Sequence, residues 1–153
     1  MLLLVGQAGM LQAAGLETSV YFSDKQGVMV QELRNLAEGE NPLLAVGKEL
    51  LRGPANTELY TSIPDKTAIR RVWTDKDVVY IDFTKELFSY GGGTSREQVI
   101  LAQIILTFTQ SFGAHSVQIL IEGEPRLAPE GSPTDQPLSR DDILMSLQGR
   151  GGK

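Results

Sequence analysis

Residues 94–112 constrain the fold of this chain more than any other stretch. Apolar residues recur there at helical spacing, over a sector much wider than one face of a helix. The central apolar stripe consists of Leu101, Ile105, Phe108 and Phe112, widened by Val99, Ile100, Ile104 and Leu106. The narrow polar edge that remains consists of Arg96, Gln103, Thr107 and Gln110. Because so apolar a helix must be covered, we predict that it is the most buried element and packs on a sheet.

The start of this helix carries a capping signal. Thr94 is expected to cap it, with Glu97 three residues later in capping-box spacing, and Gly113 follows the last apolar residue. Three glycines at 91–93 superficially resemble a phosphate-binding loop, but the Gly-Lys-Ser/Thr ending of such loops is missing. We therefore interpret these glycines as a flexible link into the helix and not as a nucleotide site.

Alternating apolar residues predict two β-hairpins. The first joins residues 19–23 to 28–33, and the second joins residues 67–74 to 78–83. In the last of these strands Val79, Ile81 and Phe83 alternate on the inward face. Asp82 is therefore expected to point outward or toward an edge.

A shorter helix lies between the two hairpins. Asn41 is a good N-cap, Pro42 occupies the first helical position without losing a needed amide, and Gly53 ends the helix. With a closing strand at residues 117–121, the elements follow the order β-β-α-β-β-α-β. We therefore predict an α+β fold, a single small domain in which two helices pack on a mixed or antiparallel sheet.

Both ends of the chain differ from this body, which we place at residues 19–125. Residues 1–18 begin with an apolar run too short to span a bilayer, so no integral membrane span is predicted. We interpret them as an apolar N-terminal tail or the remnant of an export signal. Residues 126–153 begin with a Pro- and Gly-rich loop. A short helix at residues 138–148, capped by Ser139, and a frayed tail are expected to follow.

Charge and composition exclude several functional classes. The 153 residues carry a formal net charge of −5 and basic residues cluster only in pairs, so no nucleic-acid partner is predicted. The absence of cysteine excludes disulfides, a thiolate zinc site and a cysteine nucleophile. It leaves the cellular compartment open, because many exported bacterial proteins also lack disulfides.

No residue cluster in the sequence supports a reaction. His115 is the only histidine and lies between a helix and a strand, where it needs no catalytic explanation. Asp75, Asp77 and Asp82 lack the glycine and the distal glutamate of a calcium-binding EF-hand loop. We therefore predict no enzymatic activity, no catalytic residue, no metal site and no cofactor.

The best candidate for a functional surface is the third predicted strand. Trp73 lies there beside Arg70 and Arg71, and Trp and Arg are favoured at the energetic centres of protein interfaces. A core or edge packing role is the alternative for Trp73, and for a tryptophan it is the more frequent one. Trp73 is still the strongest surface candidate in the chain.

Several segments, taken in their order along the chain, resemble the GerMN domain, the sporulation and spore germination domain of bacteria. They are VYF at 20–22, LLAV at 43–46, ELLRGP at 49–54, SIP at 62–64, VYIDF at 79–83 and ILTFTQSF at 105–112. The resemblance covers residues 19–125 and rests on the whole set, since no single segment identifies the family.

This resemblance implies a non-catalytic domain of bacterial envelope proteins, with a fold similar to the ring-building domains of secretion-type complexes. It also implies an extracytoplasmic location in the cell envelope. Two departures limit it: the family often has tandem copies where this chain has room for one, and the cysteine of its lipoproteins is absent here. Lipid anchoring is therefore not predicted for this chain.

We predict a structural or interaction module that assembles a protein complex in sporulation or spore germination, through a protein partner or self-association. The predicted interaction residues are Arg70, Arg71, Trp73, Arg96, Gln103 and Thr107. The alternative is a domain that binds peptidoglycan or another wall glycan. In that case Trp73, Tyr80 and Tyr90 supply aromatic surface, and the arginines meet acidic groups.

Overall fold

Strands and helices are interspersed along the part of the chain that the computed structural model describes, residues 16–151. The strands are β1 (Leu16–Ser23), β2 (Met29–Leu36), β3 (Ile69–Asp75), β4 (Val78–Phe83), β5 (Ser116–Ile121) and β6 (Leu138–Ser139). The helices are α1 (Pro42–Arg52), α2 (Gly93–Phe112) and α3 (Arg140–Gly151), and a 3-10 turn spans Lys85–Phe88. Residues 1–15 of the predicted tail and residues 152–153 of the predicted frayed end lie outside the described residues.

The strands form two sheets. β1 and β2 pair antiparallel as a two-stranded sheet, and the other four follow the spatial order β3-β4-β5-β6. In the larger sheet β3 and β4 are an antiparallel hairpin, whereas β4 and β5 run parallel because α2 carries the chain back across the sheet. The predicted α+β class, with its two hairpins and closing strand, is confirmed.

α2 is the most buried helix, as predicted. Its residues from Val99 to Thr109 are buried without interruption. Gly113 ends the helix in a left-handed conformation, also as predicted. The N-cap is different from the prediction: it is Gly92, at a φ of 98° that favours glycine, and not Thr94.

Glu97 holds the Pro- and Gly-rich segment against α2 instead of completing a capping box. Its buried carboxylate accepts hydrogen bonds from Tyr90 Oη (2.6 Å), Glu130 N (2.7 Å) and Ser132 N (3.1 Å). Burial raises the pKa of Glu97, but these hydrogen bonds outweigh that effect and leave the pKa below its usual value. Burial and the neighbouring Glu97 carboxylate raise the pKa of Tyr90. The predicted surface loop is thus tied to the helix.

The chain after this segment forms α3 with the predicted cap. Ser139 Oγ accepts a hydrogen bond from Asp142 N (3.1 Å), and the Asp142 carboxylate accepts one from Ser139 N (2.8 Å). Ile143 is buried in the core. The helix begins at Arg140 and runs to Gly151, three residues beyond the predicted end.

Hydroxyl side chains of α2 close the outer edge of β1. Thr107 Oγ1 accepts a hydrogen bond from Tyr21 N (3.0 Å), and Ser111 Oγ donates one to Ser19 O (3.1 Å). The helix thus supplies partners that a neighbouring strand would supply in a wider sheet. Thr107 and Ser111 lie on the same side of α2 as Arg96 and Gln103.

α1 lies against β3 because Gly47 lets the two elements approach. A Cβ atom at position 47 would lie 2.3 Å from Ile69 Cδ1, well inside van der Waals contact. Asn41 caps α1 as predicted, since its Oδ1 accepts hydrogen bonds from Leu43 N (2.9 Å) and Leu44 N (3.4 Å). The start of α1 therefore lies beside the outer edge of the four-stranded sheet.

Candidate interaction surface

A bulge in β3 brings two arginines to one carboxylate. Ile69 pairs with Phe83 and Arg71 pairs with Asp82, so Arg70 is an extra residue in the ladder. Arg70 Nη1 lies 3.5 Å from Asp82 Oδ2, and Arg71 Nε lies 4.0 Å from the same oxygen. The extra residue therefore gathers two cationic side chains at the edge of the sheet.

Trp73 lies next to Arg71 on the same face of β3, because alternate residues of a strand share a face. It pairs across the strands with Tyr80, and the two rings stack with centroids 5.3 Å apart and planes within 4°. The Arg71 guanidinium lies 4.7 Å from the centroid of the Trp73 ring. Both aromatic residues are half-buried, whereas the Arg71 side chain is 67% exposed. We call Arg70, Arg71, Trp73 and Tyr80 the β3 platform.

Asp82 is buried beside the β3 platform, whereas the sequence predicts that its side chain points outward or toward an edge. Asp82 Oδ1 accepts a hydrogen bond from Gly123 N (2.8 Å). Asp82 Oδ2 is also buried but has no hydrogen-bond partner among the described residues. The arginines are within ion-pair range of it but at or beyond the limit of a hydrogen bond. The bulge in β3 and the turn at Gly123 account for its burial.

An open groove runs along the outer edge of β3. It has a volume of about 520 Å³, and we call it the β3 groove. Its lining consists of Asn41, Leu44, Arg70, Arg71, Val72 and Trp73. Two of these residues are cationic and none is acidic. Within the described part of the chain the two guanidinium groups make ion pairs only at 3.5 Å or more, so their N–H donors are available to an acceptor.

The other three predicted interaction residues bond within the domain. Gln103 and Thr107 have no exposed surface, and Gln103 Oε1 accepts a hydrogen bond from Ser62 N (2.8 Å). Arg96 Nη2 donates to Ser62 O (3.0 Å). The expectation that this polar edge contacts a partner is corrected for Gln103 and Thr107, which a partner cannot reach. The reason is that main-chain groups of β1 and of Ser62 need hydrogen-bond partners there.

The described residues offer binding groups at the outer edge of the four-stranded sheet. No three side chains of His, Cys, Asp or Glu in that part of the chain are grouped so that they could hold a metal ion. His115 is exposed, and its main-chain N–H donates to Asp77 O (2.8 Å). What the β3 platform and the β3 groove provide is cationic hydrogen-bond donors beside an aromatic stack.

Three lining residues of the β3 groove, Asn41, Leu44 and Val72, were not among the predicted interaction residues. Asn41 and Leu44 reach the groove because the start of α1 lies beside β3. One sequence signal does point to this contact, since a glycine inside a helix, here Gly47, often marks a close approach. The bulge at Arg70 has no comparable signal in the sequence.

Comparison with known proteins gives the chain a family context. The Germane family, described as sporulation and spore germination, matches residues 19–127. Among curated proteins, none matches the chain.

Solved structures of GerMN domains share the fold. The first GerMN domain of the sporulation protein GerM from Bacillus subtilis matches with a TM-score of 0.70 at 27% identity, over 83% of this chain and 99% of that domain. The tandem GerMN domains of the same protein match with a TM-score of 0.70 at 21% identity, over 84% of this chain, which spans 46% of that tandem chain. A candidate lipoprotein from Clostridium perfringens matches with a TM-score of 0.59 at 21% identity, over 87% of this chain and 93% of that one.

Proposed function

Because this chain belongs to the Germane family of sporulation and spore germination proteins, we propose that it is a non-catalytic interaction module that assembles a protein complex in the bacterial envelope. The observation that carries the proposal is the β3 platform, where an aromatic stack and two arginines meet at a sheet edge. Trp, Tyr and Arg are the residue types most enriched at the energetic centres of interfaces. Family membership points to sporulation or germination as the process. The β3 platform is the surface through which we propose that the partner binds.

The β3 platform is ordered before any partner arrives. Tyr80 stacks on Trp73 from the neighbouring strand, and Arg71 lies over the same ring. Side chains that are already held in place lose less conformational entropy when a complex forms. This favours a recognition surface over an incidental exposed aromatic.

The proposed location is the extracytoplasmic side of the envelope. Similar structures include a sporulation protein and a candidate lipoprotein, and a lipid anchor holds its protein at a membrane. In the described part of this chain, no helix combines the length and apolar character needed to cross a membrane. We propose that the domain meets its partners at the surface of the membrane or in the wall.

Light scattering after size-exclusion chromatography, over a concentration series, tests self-assembly. If the chain assembles with itself through the β3 platform, its mass will grow with concentration in the unmodified chain and in Tyr60→Ala, and will stay that of a monomer in Trp73→Ala. Tyr60 is the matched control, since it is an exposed aromatic residue outside the β3 platform.

If the unmodified chain is a monomer throughout, cross-linking in the envelope fraction of its native host tests assembly with another protein. The unmodified chain and Tyr60→Ala are then expected to give the same cross-linked partner, and Trp73→Ala is expected to lose it. Equal behaviour of all three chains in both experiments would contradict the proposal.

Wall-glycan binding is the second candidate, because Trp73 and Tyr80 form an aromatic surface. Two neighbours, Tyr80 and Arg71, already lie against the Trp73 ring, which leaves less of its face for a sugar. Tyr90, the third aromatic residue expected to contribute, instead donates a hydrogen bond to Glu97. Retention on purified peptidoglycan that is lost in Trp73→Ala and kept in Tyr60→Ala would favour this candidate over a protein partner.

A further inference from the structure

The outer edge of β3 is open for strand pairing. β3 is the terminal strand of the four-stranded sheet, and among residues 16–151 no strand pairs with its outer side. α1 covers the beginning of β3, where Gly47 meets Ile69. Beyond the bulge, residues 71–75 pair regularly with β4. An unpaired strand edge presents a row of main-chain N–H and C=O groups, which an extended chain can complete.

The positive charge of the β3 groove favours an acidic binding partner. Its lining contains Arg70 and Arg71 and no acidic residue, and the Arg71 side chain is 67% exposed. Guanidinium groups pair best with carboxylates, through two parallel hydrogen bonds. A second copy that paired through the same edge would bring two more arginines to this place, so charge favours a partner of different sequence.

We propose that the β3 edge binds an extended acidic segment of a partner protein, which adds to the sheet as a further strand. Carboxylates of the segment pair with Arg70 and Arg71, and an apolar side chain two residues away packs on Trp73 and Leu44. The two-residue spacing follows from the geometry of β3, because Arg71 and Trp73 lie on one face of the strand. This inference rests on the proposed interaction module and names the chemistry of its partner.

The chain carries its own probe for this site, because Trp73 is its single tryptophan. The test peptide is acetyl-Thr-Glu-Thr-Val-Thr-Glu-Thr-amide, which reads the same in both directions and so offers its Glu-Val-Glu face in either strand orientation. Titration into the full chain is expected to give a saturable change in Trp73 emission. Hydrogen exchange of β3 amides is expected to slow when the peptide is bound, because strand addition pairs those groups.

Two control peptides separate strand addition from attraction between charges. In the first, every amide nitrogen of the same sequence is methylated, which keeps the charge and removes the hydrogen-bond donors. In the second, Lys replaces Glu. Both are expected to bind at least about tenfold more weakly, as lost main-chain pairing and reversed charge each imply. Equal binding of the methylated peptide would overturn strand addition.

A matched pair of variants locates the site. Arg71→Glu is expected to weaken peptide binding at least about tenfold. Arg52→Glu, at the far end of α1 and about 15 Å along the helix axis from Pro42, is expected to leave the affinity unchanged. Affinities are compared rather than signal size, since Arg71 lies over the Trp73 ring. Equal effects of the two variants would overturn the assignment to β3.

The remaining outcomes are also decisive. No saturable change up to about 1 mM peptide would overturn the inference. A dimer in sedimentation velocity that Trp73→Ala dissociates and Tyr60→Ala keeps would identify a second copy as the occupant and overturn the acidic segment. If the peptide fails while Trp73→Ala still removes a cross-linked partner, strand addition is wrong and the interaction module stands.

Discussion

The polar residues of α2 and those of β3 lie in opposite environments. On α2, the side chains of Gln103 and Thr107 are buried and hydrogen-bonded to β1 or to residues 61–62. On β3, Arg70 and Arg71 are exposed, make only long ion pairs, and stand beside a groove. The difference shows that a polar row points to a partner only when its hydrogen bonds are not already made inside the domain.

The largest effect is expected when the buried acid of α2 loses its charge. The Glu97 carboxylate accepts three hydrogen bonds. In Glu97→Gln the amide NH2 group faces at least one of the same donor groups and cannot accept its hydrogen bond. We expect the free energy of unfolding to fall by about 3 kcal/mol. Chemical denaturation followed by circular dichroism measures it. Glu58→Gln, at an exposed position, is the control, and an equally small loss in both variants would refute the role of Glu97.

The same residue predicts how stability depends on pH. The pKa of Glu97 in the folded chain is below its usual value. As the pH falls, Glu97 is therefore protonated in the unfolded chain first, and the free energy of unfolding decreases. The contribution is present above the unfolded pKa of about 4.3 and disappears as pH drops through the folded value. The stability difference between the unmodified chain and Glu97→Gln should therefore shrink below about pH 4.3. A difference that stays constant down to pH 2 would argue against the assignment.

A smaller effect is expected where α2 closes the edge of β1. Thr107→Val keeps the shape of the side chain but leaves the buried Tyr21 N–H without its acceptor. We expect a loss of about 2 kcal/mol in the free energy of unfolding. Thr107→Ser keeps the hydroxyl and is expected to lose less. If Thr107→Val is more stable than Thr107→Ser, the hydrogen bond to Tyr21 is not the source of the stability that Thr107 provides.

The smallest effect on stability is expected on β3. Arg71→Gln replaces an exposed guanidinium group with a neutral amide and so removes the ion pair with Asp82, in which the two atoms lie 4.0 Å apart. We expect the free energy of unfolding to change by less than about 1 kcal/mol, although partner binding should be lost. A loss comparable to that of Thr107→Val would mean that Arg71 is part of the fold, and the contrast between α2 and β3 would fail.

Local signals in the sequence were sufficient for much of the fold. Asn41 and Pro42 start α1, Gly113 ends α2, and the inward residues of β4 alternate as a half-buried strand requires. Each of these features depends on residues within one turn or one strand. For that reason the pattern alone predicts them.

The features that were missed depend on residues far apart in the sequence. The polar edge at Gln103 and Thr107 has the same sequence pattern whether it faces water or another part of the domain. Thr107 bonds to Tyr21, 86 residues away, and Gln103 bonds to Ser62, 41 residues away. Glu97 has capping-box spacing, yet its partners include residues 33 and 35 positions later. The burial of Asp82 depends on an extra residue in the neighbouring strand. None of these has a local pattern.

The parallel pairing of β4 with β5 has a consequence for the folding pathway. Val78 pairs with Ser116, 38 residues later, whereas the β3–β4 hairpin closes over a short turn. Closing long loops is slow because entropy is lost before contacts form, so β5 is expected to join the hairpin only after α2 has bridged the distance. Pulse-labelled hydrogen exchange during refolding should therefore protect β3 and β4 before β5, and simultaneous protection would contradict this order. Until β5 joins, the edge of β4 that β5 later covers is as unpaired as the outer edge of β3 is within residues 16–151.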